Sequence, residues 1–350
     1  MNLKPSWKTQ LKDPLGLRMD LLGDWEAFKL HLPLLEVKAG PSGTKPAPSP
    51  IYISTKTVIA FLDRPLDLRP LFWAVDVLPY NTPREGVVKK QMKFNCATPA
   101  EVGDIEALVA ACPYAYSSII AHVESSSKFK DVRKVTVGLS KRDLLCHRSK
   151  PKGAFYNCFV VIVRVLVDDA FREFHVKVFN TGKIEVPGIQ EGHHLRHVVA
   201  VLMKELNKVQ PVDYVSSSEE IVLINSNFNC NYFINREQLY TVLRETYGLS
   251  AVYDPCSYPG IQCKIYFTPD CEILMTPGKG RLPVSVMIFR TGSVLIVGKC
   301  DEPVLHAVYE YLNDMFTTEY ASIVDINCAL VAKKAPKPKS FRKQILVELG

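Results

Sequence analysis

Two stretches of the chain share one alternation of apolar and polar residues. Residues 174–188 (FHVKVFNTGKIEVPG) and 284–298 (VSVMIFRTGSVLIVG) place apolar side chains at every second position, break at Phe-x-Thr-Gly, alternate again and end in Gly. A period of two predicts strands with one buried face, and Gly at the break supplies the positive φ of a tight hairpin turn. The period then changes. Leu195, Val198, Val199, Leu202, Met203 and Leu206 recur at three and four residues, as do Val304, Leu305, Val308, Tyr309 and Leu312, so an amphipathic helix follows each hairpin.

The segments before the hairpins repeat as well. Residues 54–78 predict a strand, a turn and a short helix over 68–78; residues 221–247 predict the same, with the helix over 236–247. A further strand follows each, 86–94 (GVVKKQMKF) matching 260–267 (GIQCKIYF). Each unit reads strand, helix, several strands, long helix, the mark of an internal duplication. An insertion over 95–153 lengthens the first unit, with a helix expected at 102–111 and a strand at 132–139. Residues 155–167 (FYNCFVVIVRVLV) read as a buried strand, matched to 272–275. Residues 40–50 (GPSGTKPAPSP) form a linker, preceded by an arm with one short helix near 21–30. The expected layout is arm and linker 1–50, first unit 51–210, second unit 211–332 and basic tail 333–350.

Composition narrows the function classes. In 350 residues, 47% apolar and 23% charged, no run approaches eighteen apolar residues, so no membrane partner is expected. The N-terminal residues lack a signal-peptide core, which predicts a cytosolic, nuclear or virion protein, not a secreted one. A net charge of +7 points to an anionic partner. Residues 333–343 (KKAPKPKSFRK) hold six Lys/Arg and no acid, suiting a phosphate backbone, an acidic protein surface or plain solubility.

Catalytic and metal chemistry is thin. Ten cysteines include no C-x-x-C pair, and Cys256, Cys263 and Cys271 are spaced unlike zinc ligands. His193, His194 and His197 read as surface histidines at the start of a helix. Gly278-Lys279-Gly280 is not a phosphate loop, and Cys146-His147 has no acidic partner in sequence reach. No enzyme, metal, cofactor or small-molecule substrate is expected.

With the paired Phe-x-Thr-Gly hairpins in register with their helices, the pattern resembles the TATA-box-binding-protein family, and more closely its divergent relatives in nucleocytoplasmic large DNA viruses. The resemblance covers about 51–207 and 221–316. It implies an α+β fold: two tandem repeats forming one curved antiparallel sheet, a saddle, with helices on the convex face. It also implies minor-groove binding to double-stranded A/T-rich promoter DNA and recruitment of RNA polymerase with a factor-IIB-like protein. The alternative is a protein–protein scaffold of a viral transcription or virion complex that kept the saddle but lost DNA bending, which Arg84 and Glu185 favour.

Residues for that interface follow from parity. In the second unit, Ser285, Met287 and Phe289, then Ser293, Leu295 and Val297, make a neutral face that suits a widened minor groove. The first unit has His175, Lys177, Phe179, then Lys183, Glu185 and Pro187 there. The resemblance makes Phe179, Phe289 and Tyr258 wedges between base steps, with Arg84 at the fourth position. Asn225 or Asn227 would read the groove centre, Thr57 being the first-unit counterpart. Lys177, Lys183 and Lys264 would hold phosphates.

Overall fold

Among the described residues every strand pairing is antiparallel, and the pairings join thirteen strands into one sheet with several helices. The computed structural model describes residues 45–125, 128–145, 157–268 and 272–325; the arm helix, the basic tail, Cys146-His147 and Cys271 lie outside them. At the middle, β1 (Tyr52–Leu62) pairs with β8 (Tyr214–Asn229). Outward from β1 come β7 (Lys183–Ile189), β6 (Ala170–Phe179), β5 (Cys158–Val167) and β2 (Gly86–Cys96). Outward from β8 come β13 (Ser293–Gly298), β12 (Leu282–Ile288), β10 (Ile261–Phe267) and β9 (Ser250–Val252).

This order corrects the strand matching made from sequence. The partner of β5 by position is β10, because each lies directly against its hairpin, and the partner of β2 is the short β9. β11 (Ile273–Leu274), expected to match β5, sits outside β10 instead. Segments 86–94 and 260–267 look alike because both follow a Gly and alternate, but strand neighbours are set by non-local pairing. The insertion adds α2 (Pro99–Ala111), β3 (Ala115–Ser125), β4 (Lys128–Gly138) and α3 (Lys141–Leu145), of which only α2 and β4 were foreseen. β4 and β3 carry the sheet past β2.

Both hairpin turns are built alike. Gly182 N–H donates to Phe179 O and Gly292 N–H to Phe289 O, each at 3.0 Å, with φ of +83° and +79°. Leu62 N→Gly182 O (2.8 Å) and Leu66 N→Asn180 O (2.9 Å) reappear as Cys230 N→Gly292 O and Ile234 N→Arg290 O, both 2.9 Å. A helix starts just beyond each. Asp67 caps α1 (Leu68–Ala74) by accepting from Arg69 N–H, and Asn235 caps α5 (Arg236–Thr241) by accepting from Gln238 N–H. Both helices are shorter than expected, α1 ending at Ala74 and α5 passing into a π-helical turn, Val242–Thr246.

The long helices α4 (Gly192–Asn207) and α6 (Glu302–Thr318) bury the stripes read from sequence. One apolar cluster joins α1, α2 and α4 to Val161, Val163, Val176, Val178, Ile184 and their neighbours. A second joins α5 and α6 to Ile224, Val284, Val286, Ile288, Val294 and Ile296. The short α7 (Tyr320–Ile323) closes the second through Ile323.

One charged residue lies inside the first cluster. Lys90 on β2 is 2% exposed; its Nζ donates to Val75 O (2.6 Å) and Trp73 O (3.3 Å) at the end of α1 and lies 5.0 Å from the Phe72 ring centroid. Burial pushes its pKa down from 10.5 to about 8. The folded chain sheds this proton before the unfolded chain does, so stability rises between about pH 8 and pH 10.5. Lys90→Met should flatten that rise in urea titrations run across this window; a slope equal to that of the unmodified chain would show that Lys90 is not its source.

Candidate nucleic-acid interface

Strand alternation puts a second set of side chains on the face away from these clusters. Register aligns them in rows. Met287 lies opposite Leu295, Leu295 opposite Asn227, and Asn227 opposite Tyr52; Ser285 lies opposite Val297, Val297 opposite Asn225, and Asn225 opposite Thr55. Thr57 pairs with Leu223, mirroring Asn225 with Thr55. Strand positions therefore make Thr57 the first-half counterpart of Asn225, one of the two asparagines that the sequence left open. Lys264 extends one row onto β10, opposite Ser285.

The three asparagines are not equivalent. Asn227 donates from Nδ2 to Ser54 Oγ at 2.8 Å and is buried. Asn229 donates to Ser293 Oγ (3.2 Å) while its Oδ1 accepts from Asn231 N–H (2.7 Å), so it holds a turn. Asn225 keeps a buried Oδ1 without a hydrogen-bond partner. An orphaned acceptor in such a place costs roughly 1–3 kcal/mol.

The expected wedges do not project. Phe289 is only 7% exposed; its ring lies 5.9 Å from that of Tyr258 and closes over Gly260. Two aromatic rings at a sheet end cover each other rather than stand in water. Tyr258 donates from Oη to Met287 Sδ at 3.5 Å, and burial raises its pKa. Leu295 and Val297 are also buried, flanked by the cross-strand neighbours given above. In the first half Phe179 is half-buried, with Lys183 Nζ 5.6 Å from its ring centroid, so Lys183 is engaged with an aromatic face.

Two further readings change. Lys177 is ion-paired to Glu185 at 2.6 Å across β6 and β7, so the carboxylate expected to repel a phosphate neutralises the lysine expected to attract one. Arg84 is not the fourth wedge position. Phe159 faces Val178 as Ile261 faces Ile288, so counting back three residues, as from Ile261 to Tyr258, reaches Tyr156. That residue lies outside the described set; the buried run of β5 was the signal that could have found it.

The first half carries a charged strap on the same face. Asp143 of α3 accepts from Lys89 Nζ at 2.7 and 2.8 Å and from Ser140 N–H and Oγ, while Lys141 N–H donates to Glu173. Burial alone would raise the Asp143 pKa; the bonds from Lys89 and Ser140 outweigh it and hold the carboxyl below its ordinary value.

The histidines also depart from expectation. His194 is buried, and His193 and His194 reach Oδ1 and Oδ2 of Asp168 at 3.4 and 3.2 Å, whereas His197 pairs with Glu85. These three groups are close enough to suggest a cation site. The arrangement disfavours one: Arg172 already lies 2.9 Å from Asp168, and a metal on His194 Nε2 would put the proton on Nδ1, which is buried without a partner. The thiols are no better suited, Cys158 and Cys263 being pushed by burial up to about 12.

No family model matches the chain. A TATA-box-binding protein-like protein of Acanthamoeba polyphaga mimivirus is 20% identical over 203 residues, covering 53% of this chain and 54% of that protein. The chain resembles TATA-box-binding proteins. It spans about half the length of the relative it matches. Among solved structures, Methanococcus jannaschii TBP aligns with a TM-score of 0.41 at 13% identity, over 77% of this chain and 99% of that one. The TATA-box-binding-protein resemblance reaches this chain through sequence similarity, and the strand order and turns above stand beside it.

Proposed function

We propose that this chain is a TATA-box-binding-protein-like initiation factor whose two repeats form a saddle, gripping the minor groove of A/T-rich duplex DNA with the face away from the helices. It would then recruit RNA polymerase with a factor-IIB-like partner. The observation that carries this reading is the uncharged row Tyr52–Asn227–Leu295–Met287, which reaches the Tyr258–Phe289 pair through the Tyr258 Oη–Met287 Sδ contact, with Ser285–Val297–Asn225–Thr55 beside it. The A·T minor groove offers acceptors without a charge pattern, and its floor is met by van der Waals contact, hydroxyls and amides. Asn225 is the reader, donating from Nδ2 to those acceptors; Tyr258 and Phe289 wedge a base step once they part, and Lys264 meets a phosphate. The second half leads, because Lys177–Glu185 and the Asp143 strap spend the charge of the first half internally.

Anisotropy titrations of A/T-rich and G/C-rich duplexes, with a fluorescence bending assay, test this. Tighter A/T binding, a bend and a shallow salt dependence are expected, each phosphate contact adding about −0.9 to the log–log slope. Equal affinities without a bend would remove the reading. Phe289→Ala should abolish most of the bend; an unchanged bend would remove the wedge assignment alone.

A further inference from the structure

We propose that β3 is a docking edge for a second copy of this chain, joining two sheets through antiparallel β3–β3 pairing. Among the described residues β3 pairs with β4 on one side only, and Tyr116 to Ser125 are all exposed. Eleven residues at ~3.4 Å each give ~37 Å of edge with one side of its N–H and C=O groups turned outward. Ile119 is 61% exposed, with Tyr116, Ile120 and Val123 exposed beside it.

Sheet edges are ordinarily blunted by short strands, lysine, proline or bulges. The opposite end of this sheet follows that rule, ending in β9 and β11, three and two residues long. β3 has no Lys, Arg or Pro, in a chain with 43 Lys and Arg. Its one protective feature is a bulge between Ile119 and Ala121.

Charge selects the occupant. With His counted neutral, β3 carries one charge, Glu124, with His122 3.6 Å from it, while the whole chain is at +7. Two copies therefore meet there without opposing lysines. A two-fold axis near Ile120 sets Ile119 across from Ala121 and Val123 across from Ser117, with Ile119 and Val123 of opposite copies as diagonal neighbours, and sets Tyr116 across from Glu124 and Ser118 across from His122. An acidic or basic peptide gains no such match.

Sedimentation equilibrium on the full chain, at about 1–100 μM, tests this. The expected result is a reversible dimer that Ile119→Lys with Val123→Lys weakens at least about 100-fold, with thermal melting unchanged at concentrations where both forms are monomeric, because both sites are exposed. A monomer throughout, or a dimer unaffected by the two lysines, would overturn the proposal. The double variant should bind the A/T-rich duplex like the unmodified chain. Loss of that binding would place β3 in the nucleic-acid interface and overturn the dimer assignment, whereas failure of duplex binding by both forms would leave the dimer standing and remove only the proposed function.

Discussion

Asp131→Ala lowers the unfolding free energy by about 3–5 kcal/mol, the range for removing one partner of a buried ion pair. Asp131 is fully buried on β4 and accepts from Arg133 Nε at 2.6 Å, Arg133 Nη2 at 3.4 Å and His122 Nδ1 at 2.8 Å. Arg133 is itself buried, and its remaining partner, Glu106 of α2, is mostly exposed. Without Asp131 a guanidinium is left in the sheet with one wet counter-charge. Burial is the largest influence on the Asp131 carboxyl and raises its pKa; the bonds from Arg133 and His122 outweigh it, so the net shift is downward. A lowered carboxylate pKa contributes stability that is present above the unfolded value of about 4 and lost as pH falls through the folded one. Removing both charges in Asp131→Leu with Arg133→Met should recover most of the loss, since a well-packed apolar pair can replace an ion pair. Urea denaturation of the single and double variants decides. A single-variant loss below about 1 kcal/mol would mean that water reaches the pair.

Gly292→Ala is the second large effect, with Gly182→Ala close behind and Gly188→Ala smallest. All three glycines have positive φ, which costs an L-residue roughly 1–2 kcal/mol. They differ in space. A Cβ on Gly292 would strike the Tyr232 carbonyl oxygen, one on Gly182 would come within 2.6 Å of Arg64 O, and one on Gly188 meets nothing within 4 Å. Backbone cannot yield as a flexible side chain can, so Gly292→Ala should lose about 3–4 kcal/mol, against about 1 for Gly188→Ala. Equal losses at the three sites in one denaturation series would refute the clash argument.

The same glycines explain what the sequence made legible. Phe-x-Thr-Gly is readable because only Gly accepts both the dihedral and the close carbonyl, and α4 and α6 are readable because a long helix must show its stripe. β3 was missed because an edge strand exposed on both faces need not alternate. The β2 match failed because sequence carries parity but not neighbour identity. At the proposed interface, parity placed Asn225 and Thr57 on the sheet face away from the helices, where the strand register also puts them. It did not find that Phe289 lies down on Tyr258 or that Glu185 captures Lys177, since each depends on a rotamer choice between strands.

The seam of β1 and β8 has a kinetic consequence. It joins residues such as Tyr52 and Asn227, separated by most of the described chain, whereas each hairpin closes within a few residues. Loop closure over such a span is slow, so local hairpins and their covering helices form well before the seam does. Until it closes, the facing edges of β1 and β8 stay open, and a newly made chain is most exposed to mispairing with its neighbours during that interval.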